Sequence, residues 1–529
     1  MKVQRNISCI CKTRRSPLKT QVLIIGCGVT GAGLARDLSL RGVHCVLAEK
    51  QDVNAGASGG NHGLLHSGAR YVASDPEAAR ECRDEGELLK RLAPHCIEDT
   101  GGLFVAVEGD KEDYIADFPR LCAKSGIHAQ PVDVKTAREM EPELSDKLIA
   151  ACQVGDASVD PFKLSLDSIA QARLHGAELL CYHQAVFFRM ENRRIRMVTL
   201  RNTLNGEKKE VEADCVVSAS GAWAGIVAGL AGTEIPMVYS KGSLLVTQNR
   251  ICKQVINRLR KPANADILVP GGTVSILGTT SVRTADPDDC RPTIAEVDEI
   301  IEEGARMIPV LEHARYIRAY SGVRPLIGSS RGDDRNVTRG FALIDHAEQG
   351  IENFITITGG KLTTFRLMAE KTANLVCQKL GVSAPCRTAT EPLPSSDSGC
   401  WTKPGLAPKM WLTKHASDDM ILCECEMVSK GILDGIIENI REQGGIPTLK
   451  SVGLRSRIGK GPCQGGFCSA RIAPYLYDRK ELSGNRGLKE LRDFLNERWK
   501  GKYPMLWDLP LEQAEIQEAM HCGLFGLEL

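Results

Sequence analysis

Hydrophobic positions along the chain alternate between two rhythms. Val22 to Ile25 form an unbroken apolar run, short enough for a strand buried on both faces. After Gly26, Gly28 and Gly31, leucines recur at Leu34 and Leu38 with Leu40 beyond, the spacing of a helix with one apolar side. VHCVLAE at 43–49 then gives a second strand. The same order of strand, glycine turn and helix returns at ADCVVSASGAWAG, where Gly221 follows the strand. It returns again at FITITGGKLTTFRLMAEKTANLVCQKL, where Gly359 and Gly360 open a long amphipathic helix. Between these units, EAARECRDEGELLKRLA and IAEVDEIIEEGARMI carry charged helical patterns, and SLLVT, ADILVP and TVSILGTTS read as strands. Three returns to one sheet predict an α/β class: a discontinuous Rossmann-like domain, interrupted by an inserted α+β domain.

The chemistry of the first turn explains its three glycines. A tight turn needs Gly26, close approach of a pyrophosphate to the backbone needs Gly28, and helix-to-strand packing needs Gly31. The helix that follows offers free N–H groups and a partial positive charge to phosphates. Glu49 closes the second strand, where a carboxylate meets ribose hydroxyls and disfavours a 2′-phosphate. Downstream, QDVNAGASGGNHGLLHSGARY supplies many small residues and backbone donors, as the extended tail of FAD requires. The N-terminus of the third helix can face the electron-rich end of a reduced flavin. FAD is therefore the expected cofactor, on segments of about 20–75, 146–235 and 319–380, with substrate-facing segments of about 76–145 and 236–318.

Composition narrows the picture further. The 529 residues carry 67 basic and 66 acidic side chains, so no sequence-wide charge draws the chain to nucleic acid or an anionic membrane. No apolar run reaches the 18 or so residues of a spanning helix, which predicts a soluble, cytoplasmic chain without a direct membrane span. Residues 1–19 are basic, lack the apolar core of a secretory signal and are expected to form a disordered extension. The Gly-, Pro- and Ser-rich text over 381–415 has linker composition.

The quoted FAD fingerprint, GLLHSGARY at 63–71, KGSLLV at 241–246, YSGVRPL at 320–326 and TGGKLTTFRLMAE at 358–370 resemble the FAD-dependent glycerol-3-phosphate dehydrogenases. NADILVP at 264–270 and FLNERWKG at 494–501 extend the resemblance over about 20–529, to the flavin-carrying chains of the anaerobic, multi-subunit type. The resemblance implies oxidation of sn-glycerol 3-phosphate to dihydroxyacetone phosphate by hydride transfer to FAD. It places Arg70 and Tyr71 on the substrate phosphate, Arg324 at the reacting C2 oxygen and Lys361 beside the flavin. Lys50 and Leu362, each next to an expected FAD contact, join the cofactor set. A guanidinium suits both phosphate and a forming alkoxide. His66 is a candidate general base or a hydrogen-bonded histidine near the flavin. Leu244 stands where single-chain quinone-reducing relatives carry histidine, which favours the multi-subunit class. An amine or 2-hydroxy-acid dehydrogenase or oxidase of the same fold, and a non-catalytic electron-transfer or redox-sensing module, are the other readings.

Of 20 cysteines, four cluster: Cys423 and Cys425, then Cys463 and Cys468. Four thiolates can hold zinc or an iron–sulfur cluster, and the spacing fits zinc knuckles poorly. GPCQGGFC resembles the [2Fe-2S] domain of bacterioferritin-associated ferredoxins, which implies a small helical four-Cys domain over 416–480 and a helical tail over 481–529. Arg455, Arg457 and Lys460 are expected to offset the charge of a thiolate-ligated cluster. Zinc, or a site that no longer binds metal, are the alternatives. An iron–sulfur cluster here implies electron transfer through partner subunits to membrane quinone, at the inner face of the cell membrane.

Overall fold

The computed structural model describes residues 16–328, 340–395, 413, 415–442 and 445–527. Most of the expected basic extension and part of the expected linker lie outside the described residues. The first sheet has eight strands, in the order His183–Glu191, Arg194–Asn202, Lys208–Ser218, Leu18–Ile25, Cys45–Ala48 and Glu178–Leu180, with Phe354–Gly359 also paired to Lys208–Ser218 and Phe341–Asp345 beyond it. Leu18–Ile25, Cys45–Ala48, Glu178–Leu180, Lys208–Ser218 and Phe354–Gly359 pair with one another in parallel, while the pairs made by Phe341–Asp345, His183–Glu191 and Arg194–Asn202 are antiparallel. Val22, Leu23 and Ile24 are fully buried, as expected of a strand covered on both faces. The first strand starts at Leu18 and pairs with Val211 onward, so Leu18 and Lys19 belong to the sheet rather than to the extension. Helices Val29–Leu40, Pro161–Leu174 and Phe365–Leu380 share one core with it. Gly33 lets two of these helices meet, since a Cβ there would sit 2.9 Å from the Phe365 ring.

The second sheet orders Val282–Thr284, Met237–Thr247, Val274–Gly278, Ile267–Gly271, Val255–Arg258, Gly102–Val107, Leu148–Val154 and Ala129–Val132. Tyr316–Ile327 pairs antiparallel with Met237–Thr247 along its length. The boundaries expected at 145/146 and 318/319 therefore cut across this sheet. Strand membership depends on which edge offers hydrogen bonds, and a local apolar pattern carries no such information.

The C-terminal part is helical: Lys430–Glu442, Leu449–Leu454, Cys468–Asp478, Arg486–Lys502 and Asp508–Phe525, with a short hairpin Ile421–Cys423/Val428–Ser429. One core joins Leu422, Ile437 and Ile472 to Leu491, Phe494 and Leu527, so the residues expected as a tail pack into the four-Cys unit. The unit is tied to the first sheet by a buried ion pair, Arg455 Nη2 to Asp52 Oδ1, at 2.7 Å.

Candidate functional site

A cavity of about 590 Å³ lies where the two sheets meet. Its floor is the first glycine turn. Gly26 adopts φ +107°, and a Cβ there would lie 2.6 Å from the Ala219 carbonyl oxygen. A Cβ on Gly31 would lie 2.0 Å from the Gly26 carbonyl oxygen, so Gly31 holds the helix against the turn from outside the cavity. The Val29 N–H at the helix start donates to Ser58 Oγ at 2.9 Å, a hydroxyl placed beside Gly28 that the sequence did not single out.

Glu49 lines the cavity and its carboxylate accepts N–H bonds from Cys27 and Gln51, both at 2.9 Å. Burial raises its pKa, against these two bonds. Lys50 Nζ lies 3.8 Å from the Trp223 ring centroid and 3.2 Å from Asp288 Oδ1, while Trp223 Nε1 donates to Asp288 Oδ2. Asp288 thus brings a loop of the second sheet over the nucleotide end. Gly221, Gly359 and Gly360 also line the cavity, all with positive φ. The last helix of the first sheet begins at Phe365, so a turn over Lys361–Thr364 separates it from the Gly359–Gly360 pair. Lys361 and Leu362 of that turn reach the cavity wall.

The other end of the cavity gathers His66, Tyr71, Arg324 and Lys361. Lys361 Nζ sits 4.6 Å from the Tyr71 ring centroid, and the Tyr71 hydroxyl is 3.4 Å from His66 Nε2. Thr363 Oγ1 accepts the His66 backbone N–H. Arg324 is aimed by Thr279 Oγ1 and by the Thr280 carbonyl at 3.1 Å. Gly242 on the paired strand makes room, since a Cβ there would fall 2.4 Å from the Arg324 guanidinium. Arg70 is not in the cavity wall; it pairs with Asp266 at 3.1 Å, and its Nη1 is buried without a hydrogen-bond partner among the described residues.

His62, four residues before His66, was passed over in the sequence although it lines the same cavity. Burial, then Arg324 and Arg70, push it down to about 3, so the ring is neutral. Its Nδ1 accepts the Leu64 N–H at 3.2 Å, which leaves the proton on Nε2 and makes that nitrogen a donor.

Far along the sequence, the four thiols come together. Cys423 Sγ is 3.9 Å from Cys425 Sγ, which is 3.7 Å from Cys463 Sγ, and Cys468 faces both Cys423 and Cys463. Among the described residues, only His95, Cys96 and Asp167 form a trio with all ligand atoms within 4.8 Å of one another. Lys163 Nζ, 3.1 Å from Asp167, already answers the carboxylate of the His95 trio. The arginines expected to balance the thiols are placed differently. Arg455 is taken by Asp52, and Arg457 by Glu426. The local sequence could not show Asp52 as a partner, because the pair forms only on docking. Lys460 lies over the Phe162 ring at 4.1 Å, and burial lowers its pKa. Arg498, which the sequence did not indicate, is pushed down to about 9 by burial and then by Arg318.

The FAD dependent oxidoreductase family model matches residues 21–375. The A subunit of the anaerobic glycerol-3-phosphate dehydrogenase of Escherichia coli (strain K12) is 43% identical over 541 residues, covering 98% of this chain and 98% of that protein. The protein of the same name from Haemophilus influenzae is 41% identical, over 97% of this chain and 94% of its own. Among solved structures, a glycerol-3-phosphate dehydrogenase from Bacillus halodurans complexed with FAD has a TM-score of 0.64 at 20% identity, over 93% of this chain and 96% of its own. That likeness speaks for the fold.

Proposed function

Since the chain belongs to the FAD dependent oxidoreductases and, within them, to the family of the anaerobic glycerol-3-phosphate dehydrogenase A subunits, we propose that it oxidises sn-glycerol 3-phosphate to dihydroxyacetone phosphate. The observation that carries this reading is the convergence of Arg324, Lys361, His66 and Tyr71 in the wall of the cavity that begins at the Gly26–Gly28 turn. The donor set fits FAD. The N-terminus of the helix Val29–Leu40 and the Ser58 hydroxyl suit the pyrophosphate, Glu49 the ribose, and Lys50 the nucleotide end beneath Trp223. Gly359, Gly360, Lys361 and Leu362 suit the flavin end. Bound there, FAD would supply the acceptor for the C2 hydride and its two electrons.

The chain's own residues supply the rest. Tyr71 meets the phosphate from the cavity wall, and Arg70, behind it on Asp266, adds positive charge there. Arg324, fixed by Thr279 and Thr280, stabilises charge on the C2 oxygen as the bond to hydrogen breaks. His66 accepts the hydroxyl proton, since His62 presents a donor nitrogen and cannot. Lys361 keeps a positive charge at the flavin end.

For the thiol site we favour a [2Fe-2S] cluster over one zinc ion. Four thiolates suit either, and the Sγ distances of 3.7 and 3.9 Å do not separate them; the Cys423-x-Cys425 and Cys463-x4-Cys468 spacing, unlike that of a zinc knuckle, supports the cluster. A cluster held by these thiols would supply a one-electron path from the flavin to partner subunits, with quinone as the final acceptor of two electrons and two protons. No helix among the described residues is long and apolar enough to cross a membrane, so the quinone step belongs to a partner.

The test is anaerobic. Glycerol 3-phosphate should bleach the flavin absorption of the purified chain, and Arg324→Ala should slow bleaching by ~10²-fold or more, in the range for loss of a transition-state donor. Bleaching by an amine or a 2-hydroxy acid instead, or by no small substrate, overturns the assignment. Stoichiometric zinc without iron overturns the cluster.

A further inference from the structure

The four-thiol site and the cavity are joined by a short wall of aromatic rings and cations. The loop that lines the cavity at Gly60 and Asn61 touches the strand Tyr316–Ile327: a Cβ on Gly60 would lie 3.0 Å from Gly322 Cα, and the Tyr320 hydroxyl donates to the Asn61 carbonyl at 2.7 Å. Two residues earlier on that strand, Arg318 packs against the helix Arg486–Lys502, where a Cβ on Gly501 would lie 2.9 Å from Arg318 Cγ. One turn back on that helix is Arg498, whose guanidinium lies over Phe494 and whose Nε is buried without a hydrogen-bond partner among the described residues. A Cβ on Gly459 would lie 3.3 Å from that Nε, and the Gly459 N–H points to Cys468 Sγ. A second line runs from Gly59 to the Phe162 ring and on to Lys460. The carboxylates facing this wall are Asp160, Glu426 and Glu497; Asp160 is engaged in capping its helix, Glu426 in binding Arg457, and Glu497 is exposed.

We propose that Arg318 and Arg498 form an electrostatic bridge that favours the electron on the thiol side, making them positioning residues for electron exit. The inference rests on the cluster reading above. A cluster at the thiols would take the two electrons of reduced flavin one at a time, with quinone bound by a partner as the final oxidant. Each added electron raises the negative charge at the thiols, and a fixed cation in a poorly solvated wall stabilises that charge. The same two cations repel each other until an anionic group arrives, which accounts for an unpartnered guanidinium nitrogen beside a thiol site.

The experiment is a potentiometric titration of the cluster's electron paramagnetic resonance signal in the full chain, purified anaerobically. Arg498→Gln should shift the cluster's one-electron equilibrium at least tenfold toward the oxidised form, a fall of about 59 mV. Arg498→Lys should stay near the parent value, and Lys500→Gln, on the exposed side of the same helix, should not move it. Arg318→Gln should shift it in the same direction and carries the test if Arg498→Gln does not fold. Iron and sulfide with less than a twofold shift in both glutamine variants overturns the bridge alone. Zinc without iron in the parent chain overturns the bridge together with the cluster.

Discussion

Replacing Asp52 by Asn should loosen the C-terminal unit from the flavin-domain sheet. Asp52 Oδ1 meets Arg455 Nη2 at 2.7 Å, and the two side chains are 1% and 2% exposed. Charges about 4 Å apart attract by about 4 kcal/mol at an effective dielectric constant of ~20, and stranding one member of a buried pair costs about 3–5 kcal/mol. At about 1.4 kcal/mol per factor of ten, the population of open interface should rise by roughly two to three and a half orders of magnitude. Cys181 reports this opening directly: it is buried at the same contact, its Sγ 3.5 Å from Asp52 Oδ1 and 3.9 Å from Arg455 Nη2. Its alkylation rate in the native chain, followed by peptide mass spectrometry, scales with the open population. Asp52→Asn should accelerate it by that factor, and adding Arg455→Met should restore part of the protection, because neither charge is then left buried. A change below threefold in the single variant, or a double variant more labile than both singles, refutes the reasoning.

Gly31→Ala places a methyl 2.0 Å from the Gly26 carbonyl oxygen, so the phosphate turn must shift; purified protein should retain at least tenfold less FAD, and normal loading refutes the role of that contact. His62 binds a proton more weakly in the fold than in the unfolded chain. Its contribution to stability is therefore whole above about pH 6.5 and declines as pH falls toward about 3, by at most about 1.4 kcal/mol per pH unit. His62→Asn should flatten the fall in urea midpoint between pH 7 and pH 4, and an unchanged profile refutes the depressed pKa.

Much of the first sheet was legible because its signals are local. An apolar run, three glycines at fixed spacing and a closing acid name a strand, a phosphate turn and a ribose contact within thirty or so residues. His66, Arg324 and Lys361 were singled out by resemblance of their motifs, and the fold places them in one cavity wall with Tyr71. Arg70 was singled out with them, yet it stands behind the wall on Asp266, a partner nearly two hundred positions away. His62, Ser58 and Trp223 were missed because a histidine, a serine or a tryptophan in a loop carries no periodic mark. The sheet boundaries near 145 and 318 were misplaced for the same reason, since Leu148–Val154 and Tyr316–Ile327 find their partners through edges that lie far off in the chain.

The sequence alone determined the phosphate turn and the thiol pairs, since backbone freedom at glycine and the ligand chemistry of cysteine are properties of single residues. Only the tertiary structure decided which charges face each other. Arg455 went to Asp52, and Arg318 and Arg498 came to stand between the cavity and the thiols. A charge settles by distance and desolvation, and both are set by packing between segments that the sequence keeps apart.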